Sequence, residues 1–195
     1  RRVEVEHHAR DEAVARADGD GYPFLFSSGG VASVNPHLYA NMSFDPNKDL
    51  QPVAAAARIL VFLVANPGVP GDDVKGFIEH AKANPGKLSY GSAGNGSSPH
   101  LAGEMFNAAS GIESGHVPYR GAAPAMVDLL AGQVGYMFDP GIGLQHVRDG
   151  KLKLLAVGSP QRSSLFPDTP TLAESGLDGF NADSWFGIYA PAGVD

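Results

Sequence analysis

The chain has 195 residues, 43% of them apolar and 18% charged, with 25 glycines, 15 prolines and no cysteine. That length can bury a core as one domain or two small lobes, and the scattered glycines and prolines indicate many tight turns rather than a disordered tail, a coiled coil or collagen. A net charge of −7 without a basic cluster argues against nucleic acid or an anionic membrane surface as partner, while leaving room for one small anion at a local site.

In chain order, Asp11–Ala17 reads as the end of a helix stopped by Gly19 and Gly21. Tyr22–Ser28 reads as a buried strand broken by Gly29 and Gly30, and Asn35 as a helix cap followed by Pro36 at the first helical position. Val53–Asn66 reads as a long or broken strand ended by Pro67 and Gly68. Its apolar run is interrupted by Arg58 and falls short of the roughly 18 residues of a membrane span. From residue 70 the alternation is regular. Asp72–Asn84 carries Val74, Phe77, Ile78 and Ala81 on one helical face. Lys87–Gly91 is a strand, Ser98–Ser110 a helix, Ile112–Tyr119 a strand, Ala122–Ala131 a helix and Val134–Phe138 a strand. Gly141–Arg148 is a weak helix, Leu152–Val157 a strand, Thr169–Ser175 a short helix and Ser184–Ala190 a final strand. This repetition predicts an α/β fold with a mainly parallel sheet and helices on both faces, the first 66 residues looking like part of a second lobe.

The stretch Gly91–His100, sequence GSAGNGSSPH, follows a predicted strand and opens a predicted helix. Its glycines permit a tight turn, Ser97 or Ser98 can cap the helix, and Pro99 suits the first turn. Free amides there, the helix dipole and the hydroxyls of Ser92, Ser97 and Ser98 make an anion site. A capped helix with no ligand is the other reading. A second turn, Pro118–Ala125, offers Tyr119, Arg120 and Gly121; Arg120 could pair with a carboxylate or be a solvated charge. A third ends a strand at Asp139, which could cap a helix or orient a loop. Turns that follow parallel strands gather at the carboxyl edge of the sheet, where open α/β folds bind ligands.

Several chemistries are excluded. The stretch matches neither G-x-G-x-x-G, nor a Walker loop, nor the G-x-S-x-G elbow. The seven histidines (His7, His8, His37, His80, His100, His116 and His146) show no zinc-site spacing, so no metal is expected. His100 is the one histidine placed near a ligand, a backbone-bonding role being the alternative. Trp185 reads as core or hinge packing. Without cysteine there is no disulfide, thiolate metal site or thiol nucleophile. No acid/base pair stands out, and amides with small hydroxyls suit binding rather than turnover. Arg1–Arg16 is charged throughout, so the expectation is a cytosolic protein or one whose leader is not in this chain.

The run Lys87–Glu104 resembles the substrate-binding proteins of tripartite tricarboxylate transporters, the Bug or TctC-like family. So do Asp20–Tyr22, His116–Gly121, Asp128–Gln133, Met137–Asp139, Ser184–Gly187 and Ala190–Gly193. The resemblance covers roughly residues 11 to 193 and is specific as an ordered set. It implies a two-lobed, type II periplasmic-binding-protein-like α/β fold. The first lobe would comprise residues 1–66, rejoined by about 187–195, and the second residues 67–186, with hinge strands near 60–66 and 184–190. It further implies a periplasmic protein, not an enzyme and without cofactor. Such a protein captures a di- or tricarboxylate, an acidic amino acid or an aromatic acid between its lobes for delivery to transporter membrane subunits. Carried over, the ligand-binding candidates are Ser27, Ser28 and Asn35, then Ser92, Gly96, Ser97, Ser98, His100, Tyr119, Gly121, Ala122 and Asp139. Two departures accompany it. Arg1–Arg10 has no glycine where the family has a P-G-A-G-G-like loop, and the family continues past Gly193, so truncation at both ends with an incomplete first lobe is expected. The alternatives are a degenerate, non-binding or sensory relative, and a serine-type hydrolase using Ser97 or Ser98 with His100.

Overall fold

A computed structural model describes residues 10–194 of the chain. The Arg1–Arg10 departure therefore lies, but for Arg10, outside the described residues. The elements in chain order are α1 (residues 10–15), β1 (Leu25–Ser28), α2 (Gly30–Ser33), α3 (Asn35–Leu38), α4 (Pro46–Asp49), β2 (Leu50–Ile59) and β3 (Phe62–Ala65). There follow α5 (Val74–Ala83), β4 (Leu88–Ser92), α6 (Ser98–Ser110), β5 (Ser114–Pro118), α7 (Ala122–Leu130), β6 (Tyr136–Asp139), α8 (Leu144–Arg148), β7 (Lys153–Val157) and β8 (Ser184–Pro191). They fall into two compact units, one running up to Ile59 and resuming at Ser184, the other spanning Leu60–Asp183. No helix among the described residues is long and apolar enough to cross a membrane.

The first unit holds an antiparallel sheet in the order β1-β8-β2. Alternation along β1 sends Leu25 into a small core with Val31, Phe44 and Leu50, against which Val14, Met42 and Tyr189 pack. Phe26 faces the other way, 61% exposed, its ring 5.4 Å from that of Phe186. Trp185 is also more than half exposed, so the expected core packing of this side chain is not found. Helix α3 begins at Asn35 with Val34 in the cap position, one residue earlier than expected, because Asn35 already accepts the Tyr39 amide as a helical carbonyl.

The second unit holds a five-stranded sheet in the order β5-β4-β6-β3-β7. Strand β4 is parallel to β5 and β6, joined through the crossover helices α6 and α7. Strand β3 is antiparallel to both β6 and β7. Strands β5, β4, β6 and β7 thus run one way, as the mainly parallel expectation has it, and β3 alone runs against them; β3, expected at the end of the first lobe, lies inside this sheet. The strand, though not the apolar run, breaks at Leu60 and Val61, after which Phe62–Ala65 enters against the direction of its neighbours. All four β3 residues are buried: Leu63 and Ala65 face a core with Phe77, Tyr90, Phe106 and Phe138, and Phe62 and Val64 face another with Met126, Leu129 and Met137. Burial on both faces explains an unbroken apolar run without alternation. The expected helix over Thr169–Ser175 is only a turn, stopped after one revolution by Gly176 at φ +99°.

A close approach joins β4 to α6. A Cβ built on Gly103 would stand 2.2 Å from the buried Tyr90 ring. Gly103→Ala therefore opposes two effects. Helix propensity favours alanine by about 1 kcal/mol, whereas forcing a side chain into a filled core costs roughly 1–3 kcal/mol. The ring has little room to yield, so the variant is expected to be less stable in urea denaturation; a gain would mean that Tyr90 moves freely.

Candidate functional site

The parallel order β5-β4-β6 brings the ends of three strands to one edge of the second unit's sheet. The turns that follow β4 and β5 touch: the Tyr119 amide donates to the Ser92 carbonyl at 3.1 Å, and a Cβ on Gly94 would meet the Tyr119 carbonyl. The turn after β6 lies against α7, where Gly143 leaves room for the Met126 side chain.

The turn after β4 is built by its own side chains. Gly94 and Gly96 have φ values of +121° and +76°, a region that favours glycine. The Ser92 hydroxyl accepts from the Gly94 amide at 3.1 Å, and the Ser97 hydroxyl donates to the Gly94 carbonyl at 2.7 Å. Ser97 is the cap of α6, accepting from the His100 amide at 3.4 Å. The His100 ring returns to accept the Gly96 amide on Nδ1 at 3.0 Å. Beneath the turn, Ser92 Oγ lies 2.6 Å from His116 Nε2, the His116 ring stacks on His100 at 4.0 Å, and its other face meets Tyr90 at 5.0 Å. The Tyr90 hydroxyl donates to Glu104 at 2.5 Å. Burial pushes His116 down to about 4, with His100 adding to the effect and Glu104 opposing it. Burial also lowers His100.

The turn after β5 is the more open. In α7 the cap residue, Gly121, is in an extended left-hand conformation at φ +132°, and no side chain caps the helix. The first-turn amides of a helix have no acceptor within it, and Pro124 takes the third position without an amide, so Ala122 and Ala123 present main-chain donors. The Tyr119 hydroxyl donates to Asp128 at 2.7 Å, and burial followed by this bond pushes it up to about 12. Arg120 is exposed and in no ion pair among the described residues. After β6, Asp139 accepts from the Ile142 and Gly143 amides at 3.1 and 2.9 Å, and burial raises it against the pull of those bonds.

The candidates therefore separate into two kinds. Ser92 and Asp139 have no exposed surface, and Gly96, Ser97 and His100 spend their polar groups on the turn itself. These five make hydrogen bonds within the edge itself, and His100 keeps only its Nε2 without a bond among those described. Ser98, Gly121 and Ala122 have no such side-chain bonds, and Tyr119 lies on the same turn as Gly121. In the first unit, Ser27 and Ser28 close β1 half-buried, Ser28 opposite Phe186, and Asn35 opens α3. The hydrolase reading lacks its geometry: neither Ser97 nor Ser98 bonds the His100 ring, which is held by Gly96, and the serine that does meet an imidazole, Ser92, is wholly buried. No group of three metal-ligating side chains occurs among the described residues. Sequence reasoning passed over His116. Only the strand register, which pairs Tyr90 with His116, places it under the turn.

Residues 6–195 match the family described as the tripartite tricarboxylate transporter family receptor. Protein BugT of Bordetella pertussis is 36% identical over 187 residues, covering 94% of this chain and 57% of its own length. Among solved structures, the R. palustris protein Rpa4515 with adipate superposes with a TM-score of 0.89 at 32% identity, covering 96% of this chain and 63% of that one. MatC from Rhodopseudomonas palustris with bound malate gives 0.83 at 30% identity, covering 97% and 64%. The chain thus spans a little over half the length of the curated relatives it matches.

The two half-buried imidazoles carry a pH prediction. Both folded values lie below the ordinary 6.5, that of His116 at about 4, so below 6.5 the unfolded chain binds protons that the native state refuses. Their stabilising share is complete above 6.5 and is lost as pH falls through the folded values. Asp139 works in the other sense, its raised value favouring the native state at acid pH. The difference between wild type and His116→Gln removes that background. The wild-type urea midpoint is expected to fall more steeply than the variant's between pH 7 and 4.5; parallel curves would contradict the assignment.

Proposed function

The chain belongs to the tripartite tricarboxylate transporter receptor family, and from that premise we propose that it is a periplasmic solute-binding protein for a small organic carboxylate, with no catalytic turnover. The observation that carries the reading is the uncapped start of α7, where the Ala122 and Ala123 amides follow the turn that bears Tyr119, beside the turn that leads into Ser98. Helix-start amides with the helix dipole favour an anion. Each charge-assisted hydrogen bond contributes about 1.5–3 kcal/mol, so three or four suffice for micromolar affinity, roughly −8 kcal/mol. Adipate and malate in the solved relatives support a carboxylate as ligand class. Arg120, exposed at the same turn, adds positive charge near these amides. Delivery to the membrane subunits of the transporter is the role that the family's description supports.

Calorimetric titration of the folded chain with adipate, malate, glutamate and benzoate tests this. Micromolar binding of at least one acid is expected, weakened about tenfold in Ser98→Ala through loss of one hydroxyl bond to a charged group. Absence of heat with all four acids would sink the reading.

A further inference from the structure

The proposed site stands on a pair of stacked imidazoles that nothing in the carboxylate reading itself uses. We propose that His100 and His116 are positioning residues which hold the Gly94–Ser97 turn in its ligand-receiving shape only while both rings are neutral, so that capture is coupled to pH. This inference rests on the carboxylate reading for its consequence, but not for its geometry.

The hydrogen-bond directions define the state. The Gly96 amide can only donate, so His100 Nδ1 must carry a lone pair and the ring proton must sit on Nε2. A second proton would occupy Nδ1 and set donor against donor. Gly96 would then lose its acceptor at a residue with φ +76°, one position before the Ser97 cap and two before Ser98. The stack adds a second constraint, since the ring planes of His100 and His116 are 20° apart with centroids at 4.0 Å. A charge on either ring faces the other ring at van der Waals distance. His116 in turn meets Ser92, which holds the Gly94 amide, so both ends of the turn rest on one imidazole each.

The groups facing the pair come from four elements. From α6, Glu104 is the one carboxylate, and it attracts charge onto both rings. From β4, Tyr90 lies on His116 and gives its hydroxyl to Glu104, while Ser92 contributes a neutral hydroxyl. From β5 comes His116 itself. From β6, the Tyr136 ring packs behind Tyr90 at 5.4 Å and stays protonated through burial. One partly screened carboxylate faces two rings in an otherwise neutral, half-buried setting. Burial outweighs it at both rings, helped at His116 by the neighbouring His100, and both rings stay neutral at neutral pH.

The test uses the whole chain. Long-range proton–nitrogen NMR of the histidine rings, without ligand, is expected to show His100 as the Nε2–H tautomer at pH 7.5. The Gly96 amide resonance should shift as that ring titrates below 6.5. An Nδ1–H tautomer, or a Gly96 amide that does not follow the ring, would overturn the proposal whether or not any acid binds. Adipate and malate are then titrated by calorimetry from pH 7.5 to 4.5. Wild type should lose about tenfold more affinity over this range than His100→Gln, whose side-chain oxygen accepts from Gly96 but does not titrate; the ligand's own protonation cancels in that comparison. His100→Ala should bind weakly at every pH, and His100→Gln should recover most of that loss. Equal pH profiles for wild type and His100→Gln would refute the coupling. If neither acid binds any variant, the carboxylate reading fails, and the ring tautomer and the Gly96 shift still decide the positioning role.

Discussion

The parallel pairing of β4 with β5 sets what the second unit can present at its carboxyl edge. It places two successive strand–helix turns side by side, and the Tyr119 amide bonded to the Ser92 carbonyl fastens one turn to the other. The same register puts Tyr90 against His116, and so places an imidazole beneath the glycine–serine turn. Without that pairing the turns would be separate loops, each with its own local hydrogen bonds and no shared surface.

Within this edge the donors divide by a simple rule. An amide removed from water must find an acceptor, and the turn after β4 lies close enough to buried side chains that Gly94 and Gly96 are satisfied by Ser92 and His100. The start of α7 has no side-chain cap and leaves its amides to solvent or to an anion. The glycine–serine turn is thus held by its own side chains, while the α7 start keeps open donors. In the proposed site such a pre-shaped turn would lose less freedom on binding than one that must be ordered by its ligand.

Much of this was legible in the chain. The apolar spacing of Val74, Phe77 and Ala81 marked the helix that covers one face, and Ser97 with Pro99 marked the start of α6. The ordered motifs from Asp20 to Gly193 led to the right family. Three things were not legible. The direction of β3 was hidden because an unbroken apolar run is also what a buried parallel strand shows. The commitment of Gly96 to His100 depends on a ring folding back from the first turn of α6, and glycine content alone cannot tell an open nest from a filled one. His116 was invisible for a different reason: its partners, Tyr90 and Ser92, are more than twenty residues away in sequence and meet it only through sheet register. Nor does a motif reveal that Asp139 is buried and accepts the Ile142 and Gly143 amides of its own turn.

The central claim is that open main-chain donors at the α7 start, beside Ser98, receive a carboxylate. Amide resonances recorded during titration with adipate test it most directly. The account predicts that Ser98, Ala122 and Ala123 shift together along one saturating curve, with Gly94 and Gly96 changing little. Saturable shifts confined to other parts of the chain, with these three unmoved, would contradict it.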